Sequence, residues 1–137
     1  MLLYALKVVP PEWDEQLPIP FTQAEHDQWR DQIQNGTRVL IFKGAPVNQL
    51  VAEGEVHGFF VQPHRWSERA THGLPDALAL ADYLLPLGVL YTRQTPESRH
   101  SLNSVRSALN DPLFPHSPGE WRPLDFKEYQ RLIQDFP

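Results

Sequence analysis

Five residues in predicted strands or in the loops beside them combine the two side-chain types that bind bases and phosphates. They are Lys7, Trp13, Phe42, Lys43 and Tyr91. A flipped or single-stranded base stacks on an aromatic face, and a lysine can meet the flanking phosphates. The alternative for each aromatic is a place in the core, where large aromatic side chains are mostly found. For Lys7 both interpretations stand equally, because a charge inside an apolar strand must either point outward or find a partner.

A second group of residues is basic. Arg93, Arg99, His100 and Arg106 fall within one stretch whose single acid is Glu97. This is the one local concentration of positive charge in the sequence, so it is the predicted phosphate-contacting face, with Arg93, Arg99 and Arg106 as the contacts. The alternative is a solvated loop and helix surface.

Catalytic and metal-binding patterns are not found. His57, His64 and His72 are spaced seven and eight apart, which fits neither the helical pair of a zinc protease nor a tight ligand set on a strand. The sequence has no nucleophile elbow, phosphate loop or dinucleotide fingerprint. We therefore predict no metal, no cofactor and no enzymatic activity.

Composition restricts the partners. The 137 residues carry 17 acidic and 12 basic side chains, a net charge of −5, so a long-range positive field is absent and nucleic acid must be met by a local patch. There is no cysteine, which excludes disulfides and thiolate sites. The apolar start is too short and too charged for a signal peptide or membrane span, so we expect one cytoplasmic domain over residues 1–137 that does not enter a membrane.

The first half of the chain predicts strands around one helix. Residues 2–9 form an apolar strand that two prolines end. A capping box at Thr22 begins a helix of about ten residues that stops near Asn35-Gly36. A hairpin then spans 38–56, where Gly54 indicates a bulge of the kind that bends a strand in a small barrel, and the second arm is predicted to continue to residue 62.

The second half alternates short helices and strands. The predicted elements are helices near Trp66 and over 76–81, a strand over 83–93, a helix after Ser101, a strand over 119–124 and a helix after the Asp125 capping box. Short bent strands with helices between them predict an α+β fold, with a small mixed or antiparallel, partly closed β-barrel of about five to six strands flanked by helices.

Three stretches resemble the EVE-type members of the PUA-like superfamily. YALKVVPPEWDE is similar to their opening, with matches at Tyr4, Lys7, Pro10 and Trp13. GTRVLIFKGAPVNQLVAEGEV resembles their second and third strands, and EWRPLDFKEYQRLI their closing strand and helix. The chain departs from the family at Val8 and Val9, where a hydroxyl residue and a glutamate are usual, and it lacks the Gly-x-Lys-x-x-Glu-x-Arg signature of the related ASCH branch.

The resemblance implies a PUA-like barrel that binds DNA or RNA through a pocket at its mouth, with a modified base as one candidate ligand. On that view Lys7, Trp13, Phe42, Lys43 and Tyr91 line the pocket. The alternative is a protein-interaction or small-molecule-sensing domain that keeps the fold without binding nucleic acid, and a homodimer is one form it could take.

Overall fold

The computed structural model describes residues 2–67, 73–92 and 100–134. The strands are β1 (Tyr4–Val9), β2 (Ile19–Phe21), β3 (Arg38–Lys43), β4 (Gln49–Val56), β5 (Tyr83–Leu85), β6 (Leu87–Thr92), β7 (His100–Ser101) and β8 (Trp121–Leu124). The helices are α1 (Gln23–Trp29), α2 (Pro63–Ser67), α3 (Asp76–Ala79), α4 (Leu102–Leu109) and α5 (Phe126–Ile133). No helix in these described ranges is long and apolar enough to cross a membrane.

The main sheet is mixed. Its order is β6-β4-β3-β1-β8, and β7 pairs with β4 beside β6. The central strands β1 and β3 run parallel, with Tyr4 opposite Arg38 and Val9 opposite Lys43. Parallel strands need a long crossover connection, and here β2 and α1 provide it. Because the two strands are parallel, they end at the same edge of the sheet.

Alternation along the strands produces two cores. Ala5, Val9 and Ile41 pack on one face with the small β2–β5 sheet. Leu6, Val8, Leu40 and Phe42 pack on the other face with α4 and α5. The α+β class, the mixed sheet of six strands and the flanking helices agree with the prediction.

Several local predictions are confirmed. Thr22 and Glu25 form the capping box of α1, and Asp125 and Glu128 form that of α5. The register of β4 against β6 shifts between Glu53 and Gly54, so the predicted bulge is present. A Cβ on Gly54 would lie 3.3 Å from Leu87 Cδ1, which explains why glycine occupies the bend.

Three boundaries were predicted wrongly. The first helix ends at Trp29, earlier than the Asn35-Gly36 stop. The second arm of the hairpin ends at Val56, since Gly58 then adopts a φ of +114°. The strand predicted over 83–93 divides at Pro86, which has no N–H for a ladder, and its halves β5 and β6 join different sheets.

A buried carboxylate connects α5 to the sheet. Glu53 on β4 is only 1% exposed, and it accepts a hydrogen bond from the Tyr129 hydroxyl. Arg38 Nη1 lies 3.5 Å from its other oxygen. A buried carboxylate without such partners is strongly unfavourable. The hydrogen bond between Tyr129 and Glu53 therefore fixes where α5 docks on the sheet.

We expect Tyr129→Phe to lower the free energy of unfolding by about 1–3 kcal/mol, since it removes a hydrogen bond from a buried carboxylate. Tyr4→Phe is the matched control. The Tyr4 ring stacks on Tyr129 at 4.2 Å, but within the described residues its hydroxyl has no hydrogen bond, so its loss is expected to cost under about 0.5 kcal/mol. Urea unfolding measures both, and equal losses would contradict the role given to the Tyr129 hydroxyl.

Candidate ligand-binding cavity

A cavity of about 750 Å³ lies where β1 and β3 end, and we call it the carboxyl-end cavity. The chain segments that leave the two strands form one side of it, and α3, α4 and a proline-rich loop form the rest. Its lining residues are Val8, Val9, Pro10, Pro11, Glu12, Gly44, Ala45, Asn48, Ala77, Leu102, Arg106, Pro115, His116, Ser117 and Pro118. Its volume lies in the range of about 300–1,000 Å³ that is usual for small-ligand sites.

Helix α4 places two side chains in this cavity. Ser101 caps the helix by accepting a hydrogen bond from the Ser104 N–H, so the helix begins at Leu102. Leu102 and Arg106 are four apart and therefore lie on one face. Arg106 Nε also donates to the Phe114 carbonyl oxygen at 2.6 Å, which fixes the start of the proline-rich loop.

An ion-pair network holds the remainder of that loop. His116 Nε2 and Arg122 Nη1 each lie 2.6 Å from Asp111 Oδ2. These two hydrogen bonds lower the pKa of Asp111 to about 2. The backbone N–H of His116 donates a hydrogen bond to Glu120 Oε1 at 2.6 Å. The proline-rich loop is therefore held by hydrogen bonds at Phe114 and at His116.

Apolar groups dominate the lining, and its few polar groups are spread around it. Leu102 and Ala77 contribute accessible aliphatic surface, to which the proline rings add, while Val8 and Val9 lie almost fully buried beneath it. Glu12, Asn48, Arg106 and His116 supply one acid, one amide, one guanidinium and one imidazole. An apolar site with a few polar groups suits a flat organic ligand whose edge forms hydrogen bonds.

Lys7 lies behind this wall and not in it. Its side chain is fully buried, and Nζ donates to the Gly119 carbonyl oxygen, next to Pro118 of the lining. Nζ also lies 3.4 Å from Glu25 Oε2 and 4.5 Å from the centre of the Phe21 ring. Burial lowers the pKa of Lys7 to about 8, although Glu25 acts in the opposite direction. Of the two alternatives given for Lys7, an outward side chain or one with partners, the structure has the second.

Two of the aromatics predicted to line the pocket are core residues. Trp13 is 2% exposed, and its Nε1 donates to the Pro18 carbonyl oxygen at 3.1 Å. Phe42 is fully buried and packs edge-on against Phe114. Phe42 also belongs to the core on the opposite side of the sheet from Trp13. The expected convergence of Lys7 and Trp13 with Phe42 and Lys43 is thus not found.

The other predicted residues fall in three places. Lys43 ends β3, directly before Gly44 of the lining, and Arg106 is in the lining itself. Tyr91 lies on β6 opposite Glu53, away from the end of β1. Arg93 and Arg99 lie outside the described residues.

Sequence reasoning missed most of the lining. Pro10, Pro11 and the 115–118 loop were interpreted as connections only, although rigid prolines beside two parallel strand ends were an available signal. Among the described residues no group of three acids or histidines could hold a metal ion. His72, the third histidine of the spacing considered above, lies outside them.

No protein-family model matches the sequence, and no curated protein matches it. Solved structures of similar fold do exist. The ASCH protein of Zymomonas mobilis is 12% identical over 96% of this chain and 94% of its own, with a TM-score of 0.61. Rpa0253 of Rhodopseudomonas palustris is 14% identical over 98% and 92%, with a TM-score of 0.60. Human THYN1, solved in complex with DNA containing 5-methylcytosine, is 10% identical over 98% of both chains, with a TM-score of 0.61.

These similarities extend over nearly the whole chain, and at 10–14% identity they establish the fold. The predicted fold is confirmed, since the chain shares the fold of these proteins. The assignment to the EVE type of the PUA-like superfamily stays a prediction.

The buried lysine makes stability depend on pH. The pKa of Lys7 is about 8 in the folded chain and has its ordinary value of 10.5 in the unfolded chain. Between those values the unfolded chain binds more protons, so the free energy of unfolding rises with pH, by about 3 kcal/mol in total. Below pH 8 both states are protonated and this contribution is constant.

We therefore expect the stability difference between the wild type and Lys7→Met to shift in favour of the wild type from about pH 8 to about pH 10.5. Urea unfolding across this range measures it, and subtracting the variant removes the titration of tyrosines and other lysines. A difference that stays flat with pH would contradict the burial of a protonated Lys7.

Proposed function

We propose that this chain is a non-catalytic module that binds DNA or RNA and takes one base into the carboxyl-end cavity. The observation that carries the proposal is the cavity itself, with its apolar lining and with Arg106 in its wall. Flipped bases are held by stacking between aromatic or apolar side chains and by hydrogen bonds to their edges. In this cavity proline rings and Leu102 offer the apolar faces, and Glu12, Asn48 and His116 offer the edge contacts.

The distribution of charge favours a local contact with nucleic acid over attraction by the whole surface. The net charge of −5 disfavours general attraction to a polyanion, whereas Arg106 and the predicted contacts Arg93 and Arg99 belong to one stretch of sequence. We expect few phosphate contacts, so affinity should fall with salt at a shallow slope of about one to three. Among proteins of this fold, human THYN1 was solved with DNA containing 5-methylcytosine, which supports a modified base as the ligand to test first.

A second candidate is sensing of a small apolar molecule at the same cavity. Glu12 in the lining and the net charge of −5 favour it, since both oppose a phosphate-bearing ligand. It shares the predicted cytoplasmic location and lack of catalysis. Nucleic-acid binding that fails at low salt, together with binding of apolar fragments in the cavity, would favour this second function.

Filling the cavity tests the site. Ala77 and Ala79 are both exposed on α3, but only Ala77 lines the cavity. We expect Ala77→Trp to weaken binding by at least about tenfold, a loss of about 1.4 kcal/mol, while Ala79→Trp binds as the wild type does. Fluorescence anisotropy with single- and double-stranded DNA and RNA, each with and without 5-methylcytosine, measures the effect. Absence of binding to all of these at low salt would sink the proposal.

Removing the guanidinium tests the phosphate contact. Arg106→Gln should weaken binding to every sequence and reduce the salt slope by about one. Arg131→Gln is the control, because Arg131 Nε also donates to a backbone carbonyl, that of Ala108 at 2.8 Å, yet Arg131 does not line the cavity. Equal salt slopes for the two variants would show that Arg106 meets no phosphate.

A further inference from the structure

A second, smaller cavity lies at the other end of the central strands. Its volume is about 380 Å³, and Ile33 and Phe60 form its accessible apolar part, above the buried side chains of Val56 and Leu85. Glu55 of β4 lies opposite Arg38, where β3 begins, so this amino-end cavity is separated from the carboxyl-end cavity by the length of the strands, about 20 Å. It is therefore independent of the proposed nucleic-acid site.

Phe59 stands beside the amino-end cavity and is 83% exposed. The loop that carries it is well anchored. The Gly58 N–H donates to Asn35 Oδ1 at 2.8 Å, and Val61 exchanges two backbone hydrogen bonds with Leu84 at 2.9 and 2.7 Å. The backbone on both sides of Phe59 is therefore anchored, while its ring, exposed to water, does not gain the free energy that burial would give. Because Phe59 borders the recess that contains Ile33 and Phe60, ring and recess together form a continuous apolar patch, which is the kind of surface that marks an interaction site.

The surface is complementary to itself. It carries a protruding ring next to an apolar recess, and it carries both signs of charge. Arg30 lines the cavity and Asp31 follows it in the chain; their side chains are 58% and 91% exposed and lie 3.8 Å apart. In a two-fold dimer each residue pairs with a different residue of the same patch on the other copy. Such a patch can supply the ring, the recess and both charges to its own copy.

We propose that this surface is a homodimer interface between two copies of this chain. Phe59 of each copy enters the amino-end cavity of the other, where it meets the partly exposed Ile33 and Phe60. Arg30 of each copy then lies against Asp31 of the other, which closes the polar rim around the buried rings. The two carboxyl-end cavities stay open at the far ends of the dimer.

Truncating the ring tests the apolar part. Sedimentation velocity of the full chain, from low micromolar to several hundred micromolar, should show a monomer–dimer equilibrium. Phe59→Ser should weaken it at least about tenfold, as is usual for a buried aromatic anchor. Leu80→Ser is the matched control, since Leu80 is 84% exposed and lies outside the cavity, and it should dimerise as the wild type does.

Exchanging the charges tests the pairing without removing any apolar surface. Arg30→Glu and Asp31→Arg should each weaken the dimer, because like charges then face each other, and the double variant Arg30→Glu/Asp31→Arg should restore it. A wild type that is monomeric throughout the series overturns the proposal. So does a dimer that Phe59→Ser and Leu80→Ser leave equally intact, or one that the single charge variants do not weaken. Since the carboxyl-end cavity is untouched by all of these changes, nucleic-acid binding can fail or succeed separately.

Discussion

Lys7 is held in the middle of the central strand by groups from three other parts of the chain. Gly119 and Glu25 accept from its Nζ, and Phe21 presents its ring face to the charge. Burying an ammonium group is costly unless such partners are in place, so the loop before β8, helix α1 and strand β2 must all dock around this one atom. Glu25 has a second role, since it also completes the capping box of α1. Because Gly119 directly follows Pro118, the hydrogen bond from Lys7 also fixes the position of this wall of the carboxyl-end cavity.

The parallel pairing of β1 and β3 separates the molecule's two candidate surfaces. Strand ends of the same polarity lie together, so the segments after Val9 and Lys43 can build one cavity. The antiparallel return through β4 brings Val56 to the opposite end. The sheet then acts as a rigid spacer between the proposed ligand site and the proposed dimer surface. A dimer formed at one end would present two ligand sites facing away from each other, which favours binding to two separate segments over one continuous short site.

Local chemistry made part of this fold predictable. Thr22 with Glu25 specifies the start of α1 through side-chain hydrogen bonds within four residues, and Gly54 marks a bend that only a residue without Cβ fits easily. The site was less predictable because it depends on register and on distant segments. Trp13 and Phe42 have the residue types of a stacking pocket, yet the alignment of Val8 with Phe42 directs Phe42 to the α4–α5 side. No spacing in the sequence joins Pro10 to Ala77 or Pro115, which meet only when the chain is folded.

Strand β1 acquires its two neighbours at very different times during synthesis. It can pair with β3 once residue 43 has left the ribosome, but its other edge pairs with β8, which ends at residue 124. At about 5–20 residues per second, the 81 residues between these points take roughly 4–16 s to make. Throughout that interval the nascent chain carries an unpaired, apolar strand edge of the kind that templates association between chains. The charge of Lys7, still without Gly119 as a partner, lies in the middle of that strand and opposes such pairing until β8 arrives.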